Sequence, residues 1–205
     1  MVEIKHRLTG AVLATVDAVS LGGAYLGDAD LRDADLGDAD LRGADLGGAY
    51  LGGADLGGAD LGGADLADAD LADANLADAY LADANLRGAY LAGAYLGDAN
   101  LGDVLDGVPA IESIDAAILA AVEASQALGK DGLRMSTWHT CESTHCRAGW
   151  AIHLAGNEGY ELEREYGPAM AGTLIYLKAG ATRIPDWYAS DDAAMADLRE
   201  RAGAA

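Results

Sequence analysis

The fold is decided by a repeat, seen clearly in the stretch Ala29-Asp30-Leu31-Arg32-Asp33-Ala34-Asp35-Leu36. A Leu recurs every five residues from Leu21 to Leu101, 17 times in register, and an Ala stands two residues before each Leu from Leu26 onward. The residue between that Ala and its Leu is always Asp, Asn or Tyr. So regular a pattern cannot arise by chance, and the repeat must set the architecture of this half of the chain.

A period of five residues fits neither regular secondary structure. An α-helix repeats every 3.6 residues and a strand every two, so either would scatter the Leu side chains over all of its faces. A solenoid accommodates the period if each unit forms one side of a coil, with Leu and Ala inward. Residues 46–65 all follow one version of the unit and residues 66–85 another, which makes each block four units long. The sequence therefore predicts coils of 20 residues with four sides.

These units resemble those of the pentapeptide-repeat proteins, over about residues 20–105. The resemblance implies a β-solenoid, specifically a right-handed quadrilateral β-helix. It also implies a role in protein binding, because some members of the family mimic DNA and bind gyrase. The Leu position is occupied by Leu alone, without the Phe that the family often uses, so we expect a narrow and uniform interior.

The segments that flank the repeat predict two further parts. Residues 4–8 and 11–16 flank Thr9-Gly10, a pattern that predicts a β-hairpin cap with a Gly turn within residues 1–19. The repeat decays before Pro109, so we assign residues 20–108 to the β-helix. Residues 109–205 hold all three Trp and carry helix signals, which predicts a small α-helical domain.

Five helices are expected in that domain. Apolar residues at helical spacing predict the first, which should end at Gly129: Ile111, Ile114, Ile118 and Val122. Capping signals predict the other four, opened in turn by Ser143 or Thr144, by Asn157, by Pro168 and by Ser190.

One segment of the helical domain, residues 138–150, concentrates reactive side chains. With His153 it holds both cysteines and three of the four histidines. This segment and the N-terminal hairpin are similar to those of uncharacterised pentapeptide proteins of bacteriophages and α-proteobacteria, a resemblance that brings no known activity.

Three chemical interpretations of residues 138–150 remain open. Zinc prefers two thiolates and two imidazoles, and the candidate ligands are His139, Cys141, His145 and Cys146. Against zinc, no Cys-x-x-Cys knuckle is present, and neighbouring His145 and Cys146 would diverge on a helix. A Cys/His nucleophile pair is a second interpretation, with Cys146 in the first turn of a helix. The third, which we favour, is packing by Trp138, Cys146, Ala148, Gly149 and Trp150, with or without a bridge between the two cysteines. We therefore expect no cofactor and no enzymatic activity, with zinc as the alternative.

Charge restricts the classes of partner. The chain carries 34 acidic and 13 basic residues, a formal net charge of −21. Nucleic acids and anionic membranes are bound by clustered Lys and Arg, so neither is an expected partner. The N-terminus is too polar for a signal peptide, and no small-molecule substrate is suggested. We expect a cytoplasmic protein, or a virion protein if a phage encodes it.

The acidic repeat predicts a non-enzymatic structural or interaction protein. Its residues 21–108 contain 18 Asp, no Glu and three Arg, a net charge of −15. A phage-associated or virion adaptor or decoration role, with virion proteins or further copies of the chain as partners, is the leading hypothesis. A DNA mimic that binds gyrase is the alternative, because the charge density of the rod would approach that of DNA. Simple solubilisation by Asp is the plainer explanation of the charge.

We predict an interaction surface near the C-terminal end of the repeat, where aromatic residues replace acidic ones. Its residues are Tyr80, Tyr90, Tyr95, Asp68, Asp73, Asp78 and Asp83. Within it, the sides that carry Tyr90 and Tyr95 are expected to dock residues 110–205 or a partner, because aromatic rings with a polar tip suit half-buried surfaces.

Overall fold

The computed structural model describes residues 1–128, the backbone of residues 132–133 and 144–145, and residues 147–187 and 189–203. They divide into two units. The first holds Met1–Asp106 together with Thr182–Ile184, and the second holds Gly107–Ala181 together with Pro185–Ala205. The N-terminal hairpin and the repeat thus belong to one unit, which also takes in a short segment from far along the chain.

The first unit begins with the hairpin that the sequence predicts. Strand β1 (Val2–His6) pairs antiparallel with β2 (Val12–Val16), and Gly10 supplies a positive φ of 69° in the turn between them. The first strand ends at His6, earlier than expected, so Leu8 lies in the turn and is 79% exposed. The other edge of β1 pairs antiparallel with β3 (Ala34–Asp35), which gives a three-stranded sheet in the order β2-β1-β3.

The repeat forms the predicted coil of 20 residues. Every outward residue between Ala and Leu makes a parallel bridge to the residue 20 positions further on, from Tyr25 with Asp45 to Tyr80 with Asn100. Backbone hydrogen bonds connect successive coils: Leu26 N–H donates to Asp45 O at 2.7 Å, and Asp45 N–H donates to Ala24 O at 2.9 Å. Because four units complete one coil, the solenoid has four sides.

The interior contains only Leu and Ala side chains along most of its length. The eight Leu residues from Leu46 to Leu81 have no exposed surface, and the Ala that stands two residues before a Leu is at most 1% exposed from Ala49 to Ala79. At each corner the Ala N–H donates back to the Leu carbonyl three residues earlier, as Ala54 does to Leu51 at 2.9 Å. This tight turn is what a period of five residues requires. A single-turn 3-10 helix, Gly102–Leu105, follows the last regular Leu.

The second unit is helical. It contains α1 (Ile114–Ala127), α2 (Arg147–Leu154), α3 (Gly156–Tyr166), α4 (Pro168–Lys178) and α5 (Asp191–Arg201), and two short parallel strands, β4 (Gly132–Leu133) and β5 (Thr144–His145). Two predicted helix starts are confirmed. Pro168 opens α4, and the Ser190 side chain accepts a hydrogen bond from Ala193 N–H at 3.3 Å in front of α5.

Other predicted helix boundaries are wrong. Asn157 does not cap the third helix but lies inside it, because Gly156 adopts a positive φ of 67° and turns the chain from α2 straight into α3. Thr144 and His145 belong to strand β5, so the helical geometry expected at His145 does not apply. Ile111 precedes α1, and Ser143 and Gly129 lie outside the described residues.

Candidate interaction surfaces

The outward residues form four columns, which we number as sides. Side 1 carries Tyr25, Asp45, Asp65 and Asn85; side 2 carries Asp30, Tyr50, Asp70 and Tyr90; side 3 carries Asp35, Asp55, Asn75 and Tyr95; side 4 carries Asp40, Asp60, Tyr80 and Asn100. The three Tyr of the predicted interaction surface therefore lie on three different sides. They share a region of the solenoid but do not form one face.

Asp and Asn in these columns shape the corners as well as carrying charge. The side-chain oxygen of Asp55 accepts a hydrogen bond from Gly57 N–H at 3.1 Å, and that of Asn75 accepts one from Ala77 N–H at 3.1 Å. This is the Asx turn, in which a short polar side chain satisfies a backbone donor two residues later. A Tyr at the same position cannot make this bond, which leaves its ring as the outward feature.

The second group of acids lies at the corners, in a conformation that few residues accept. The second residue after each Leu has a positive φ throughout positions 23–98, and it is Gly eight times and Asp eight times. Among L-residues with a side chain, Asp and Asn are the ones that enter this left-handed region most readily. Asp68, Asp73, Asp78 and Asp83 of the predicted surface all belong to this group, with φ between 55° and 61°. They are exposed, but each occupies a different corner of one coil.

At two of the four corners, Asp alternates with Gly from coil to coil. A Cβ built on Gly53 would lie 2.9 Å from Asp33 Oδ1, and one on Gly48 would lie 2.5 Å from Asp28 Oδ1. Gly88 and Gly93 are overhung in the same way by Asp68 and Asp73. The carboxylate of each such Asp thus occupies the space that a side chain on the next coil would need. At such a corner, successive Asp residues lie two coils apart, which is about 10 Å at the spacing of paired strands. This separation reduces the repulsion between their carboxylates.

Arginine neutralises part of this charge. Arg32 binds Asp30 at 2.6 Å, Arg42 binds Asp40 at 2.8 Å and Asp60 at 3.5 Å, and Arg7 binds Asp33 at 3.3 Å. Hydrogen bonding by Arg42 lowers the pKa of Asp40 to about 2. All of these pairs are solvent-exposed, so each contributes little to stability.

In the part of the chain that the structure describes, no ion pair neutralises the corner between sides 3 and 4. It carries Asp38, Asp78 and Asp98, and no residue of this corner is basic. We call these three residues the acidic edge. The three Arg of residues 21–106 occupy the other three corners. The described ion pairs of the repeat likewise involve acids other than the acidic edge.

Side 3 gains antiparallel backbone pairing at both ends. At its start β1 pairs with β3, where Lys5 lies opposite Asp35. At its other end Arg183 pairs antiparallel with Tyr95, with Ile184 N–H donating to Ala94 O at 3.0 Å and Leu96 N–H donating to Thr182 O at 2.7 Å. Tyr95 is 47% exposed and Tyr90 is half-buried. The docking of residues 110–205 on these sides stays a prediction.

The side chains of the predicted zinc ligands lie outside the described residues. His139, Cys141 and Cys146, like Trp138, lie outside the described residues, and only the backbone of His145 is described. In the described part of the chain, no group of three or more His, Cys, Asp or Glu is arranged to hold a metal ion. Zinc at these four residues, and chemistry at the cysteines, stay predictions.

The neighbouring part of that segment is packed. Ala148, Gly149 and Trp150 are buried, and a Cβ on Gly172 would lie 2.7 Å from the Ala148 Cβ, so α2 and α4 approach closely. His153 Nδ1 lies 2.9 Å from the Tyr160 hydroxyl and its ring meets Trp150 edge-on. The burial of Ala148, Gly149 and Trp150 is what the packing interpretation expects of these three residues.

Sequence reasoning missed a buried charged cluster in the helical unit. The Arg147 side chain is 2% exposed; its guanidinium binds Asp115 and Asp197, and its Nε donates to the Tyr176 hydroxyl at 2.8 Å. Tyr176 in turn donates to Asp115 at 2.8 Å. Burial opposes the charged form of Arg147, but Tyr176, Asp115 and Asp197 outweigh it and raise its pKa. The only signal in the sequence was a charged residue directly before the small, apolar run Ala148-Gly149-Trp150.

Comparison with known proteins identifies the repeat. The family model for pentapeptide repeats matches eight copies across residues 7–48, 44–81 and 69–104, and the chain belongs to the pentapeptide-repeat family. No curated protein matches the chain. Among the described residues, no helix has both the length and the apolar character needed to cross a membrane.

Three solved structures illustrate the likeness. A pentapeptide repeat protein from the thylakoid lumen of Arabidopsis thaliana is 32% identical over 49% of this chain and 74% of its own, with a TM-score of 0.28. HetL of Nostoc sp. PCC 7120, involved in regulating heterocyst differentiation, is 39% identical over 39% of this chain and 46% of its own, with a TM-score of 0.22. QnrB1, a plasmid-mediated fluoroquinolone resistance protein, is 20% identical over 40% of this chain and 60% of its own, with a TM-score of 0.23. The chain thus spans about half the length of the second protein and three fifths of the third.

Proposed function

We propose that this protein is a non-enzymatic interaction module that binds a basic protein surface through the acidic edge. Pentapeptide-repeat proteins generally act through protein interactions. The observation that carries the proposal is the distribution of charge: Asp38, Asp78 and Asp98 occupy the one corner without a basic residue, while Arg32 and Arg42 bind acids elsewhere. Complementary charge gives such a surface specificity and fast association.

The buried core supports a binding role over a catalytic one. Leu and Ala fill the interior of the repeat, so its functional groups are those that point outward: carboxylates, carboxamides and phenols. Carboxylates bind Arg and Lys, and exposed Tyr rings add contact area and can stack on cations. Tyr80, 44% exposed on side 4, flanks the acidic edge.

The test removes charge without disturbing the corner geometry. Asn accepts the same left-handed conformation as Asp, so the edge variant is D38N with D78N and D98N. The matched control, D28N with D68N and D73N, removes the same charge from other corners, at exposed residues that share the positive φ. The full chain, immobilised, is incubated with cell lysate, and the retained proteins are identified by mass spectrometry. We expect the wild-type chain to retain basic proteins that elute with salt. The edge variant should lose these proteins and the control variant should keep them. Equal retention by both variants would refute the proposal.

A DNA mimic directed at gyrase is the second candidate, favoured by the linear charge density. With 18 Asp and three Arg in residues 21–108, the net charge is −15. Coils stacked at about 4.8 Å place this charge along a rod of about 20 Å, close to the density of B-DNA, about 0.6 charge per Å. The measurement is inhibition of supercoiling by purified gyrase. Inhibition that both triple Asn variants weaken equally would indicate mimicry of DNA rather than use of one edge.

The virion or phage-associated role stays a prediction. Its support is the resemblance of the hairpin and of residues 138–150 to phage pentapeptide proteins. Genes for capsid or tail proteins next to the gene of this protein would favour it, and their absence would oppose it.

A further inference from the structure

Strand β2 lies at the outer edge of the three-stranded sheet β2-β1-β3. Its inner edge pairs with β1, and in the part of the chain that the structure describes no strand pairs with its outer edge. An open edge presents a row of unpaired backbone donors and acceptors, which is a template for another strand.

This edge lacks two common protections against pairing. Natural edge strands usually carry Lys, another charge or Pro, whereas β2 reads Val12-Leu13-Ala14-Thr15-Val16 and has none of them. Val12 is 49% exposed, and Leu8 and Val19 at the same end of the chain are 79% and 101% exposed. The edge is therefore open, uncharged and bordered by exposed apolar side chains.

The charge of the hairpin favours a second copy of the chain as the partner. Residues 1–19 contain two acids, Glu3 and Asp17, and two bases, Lys5 and Arg7, so their side-chain charges cancel in a chain of net charge −21. Glu3 and Lys5 also bind each other at 3.2 Å. Two copies of so acidic a chain repel each other over most of their surfaces, and this neutral end is where they can approach.

We propose that β2 pairs antiparallel with β2 of a second copy, which joins two three-stranded sheets into one of six strands across a two-fold axis. Pairing centred on Ala14 places Val12 opposite Val16 and Leu13 opposite Thr15, so no charge faces a like charge. The fold already uses antiparallel backbone pairing twice, since β1 pairs with β3 and Arg183 forms an isolated antiparallel bridge with Tyr95.

The dimer should be weak and should tighten with salt. The strand is only five residues long, and the shift of register opposite Ile4 and Lys5 bends it, so the contact is small. Salt screens the repulsion between the two acidic rods, so we expect self-association to strengthen as ionic strength rises. Binding of a basic partner through the acidic edge must weaken with salt, so the two proposals fail independently.

The test is sedimentation equilibrium of the full chain, up to about 500 µM, at about 0.15 M and about 0.5 M NaCl. Thr15→Lys places a charge on the open edge, yet within the hairpin it faces Glu3, a favourable pairing that keeps the strand folded. Thr9→Lys makes the same substitution in the exposed turn, off the strand, and is the control. We expect a monomer–dimer equilibrium that tightens with salt, at least tenfold weaker dimerisation for Thr15→Lys, and little change for Thr9→Lys.

Three outcomes would overturn the inference. The first is a chain that stays monomeric at the highest concentration in both salts. The second is a dimer that Thr15→Lys leaves unchanged, because the contact would then lie elsewhere. The third is equal weakening by both Lys variants, because net charge rather than strand pairing would then account for the effect.

Discussion

Asn75 donates a hydrogen bond from its Nδ2 to Asp55 Oδ1 at 2.9 Å, one coil away on side 3. The same relationship holds on side 1, where Asn85 donates to Asp65 at 2.9 Å. In both columns an Asp already stands opposite the Asp below it, Asp35 below Asp55 and Asp45 below Asp65. Asn at the next coil keeps the acceptor needed for the Asx turn and supplies a donor to the carboxylate in place of a third charge.

This relationship predicts that Asn75→Asp destabilises the repeat. The substitution keeps the acceptor for Ala77 N–H, removes the donor to Asp55 and places like charges on paired residues, so we expect a loss of about 0.5–1 kcal/mol. Thermal unfolding at low and high salt measures it, and the loss should shrink in high salt. Asn100→Asp is the control, because Asn100 pairs with Tyr80 and gains no acidic neighbour there. Equal effects of the two substitutions would contradict the explanation.

The alternation of Asp and Gly at the corners makes a steric prediction. Gly88 and Gly63 both have positive φ, 73° and 65°, so Ala is strained at either site, by about 1 kcal/mol. A Cβ at Gly88 also meets the Asp68 carboxylate, whereas a Cβ at Gly63 has nothing within 4 Å. We expect Gly88→Ala to lower the melting temperature further than Gly63→Ala does.

Asp68→Gly tests whether the Asp68 carboxylate causes the extra loss of stability in Gly88→Ala. It removes the overhanging carboxylate, so combined with Gly88→Ala it should recover the steric part of the loss while the strain of positive φ remains. Additive effects in the double-mutant cycle would show that Asp68 does not restrict the residue at position 88.

The solenoid could be predicted from sequence because its constraints are local and repeated. The inward Leu and Ala and the 20-residue coil follow from the period and from the block structure of residues 46–85. The function of the acids could not be predicted in the same way. Asp68 and Asp70 look alike in the sequence, yet the first occupies a left-handed corner and the second accepts a hydrogen bond from Ala72 N–H. Both residues carry the same charge, and only the backbone conformation shows that one forms a corner and the other an Asx turn.

The helical unit was predicted less well because its determinants are distant in sequence. Asn157 is a good capping residue, but the positive φ of Gly156 starts α3 before it. The partners of Arg147 lie 32, 29 and 50 residues away, at Asp115, Tyr176 and Asp197, and no local pattern connects them.

The Arg147 cluster predicts a large loss of stability when the arginine is removed. Arg147→Ala leaves the Asp115 carboxylate, 17% exposed, without its counter-charge, so we expect a loss of about 3 kcal/mol. All three Trp lie beyond residue 109, so Trp fluorescence during urea unfolding reports on this half of the chain. The control is Arg164→Ala, which breaks an ion pair with Glu161 that is about 70% exposed on both partners and should change little. Similar midpoints for the two variants would show that the buried cluster is not stabilising.

The same cluster predicts how the helical unit responds to acid. Burial by itself would raise the pKa of Asp197, but hydrogen bonds and charge from Arg147 and Arg201 outweigh it and hold that pKa below its ordinary value of 3.8. A carboxylate whose pKa is lower in the folded state stabilises that state above its unfolded pKa, and this contribution disappears as pH falls through the folded pKa. We therefore expect the urea midpoint followed by Trp fluorescence to fall below about pH 4. Asp197→Asn, which cannot ionise, should start from a lower midpoint at pH 7 and lose less of it on acidification. If wild type and variant lose equal stability between pH 5 and pH 2, Asp197 is not responsible for the acid response.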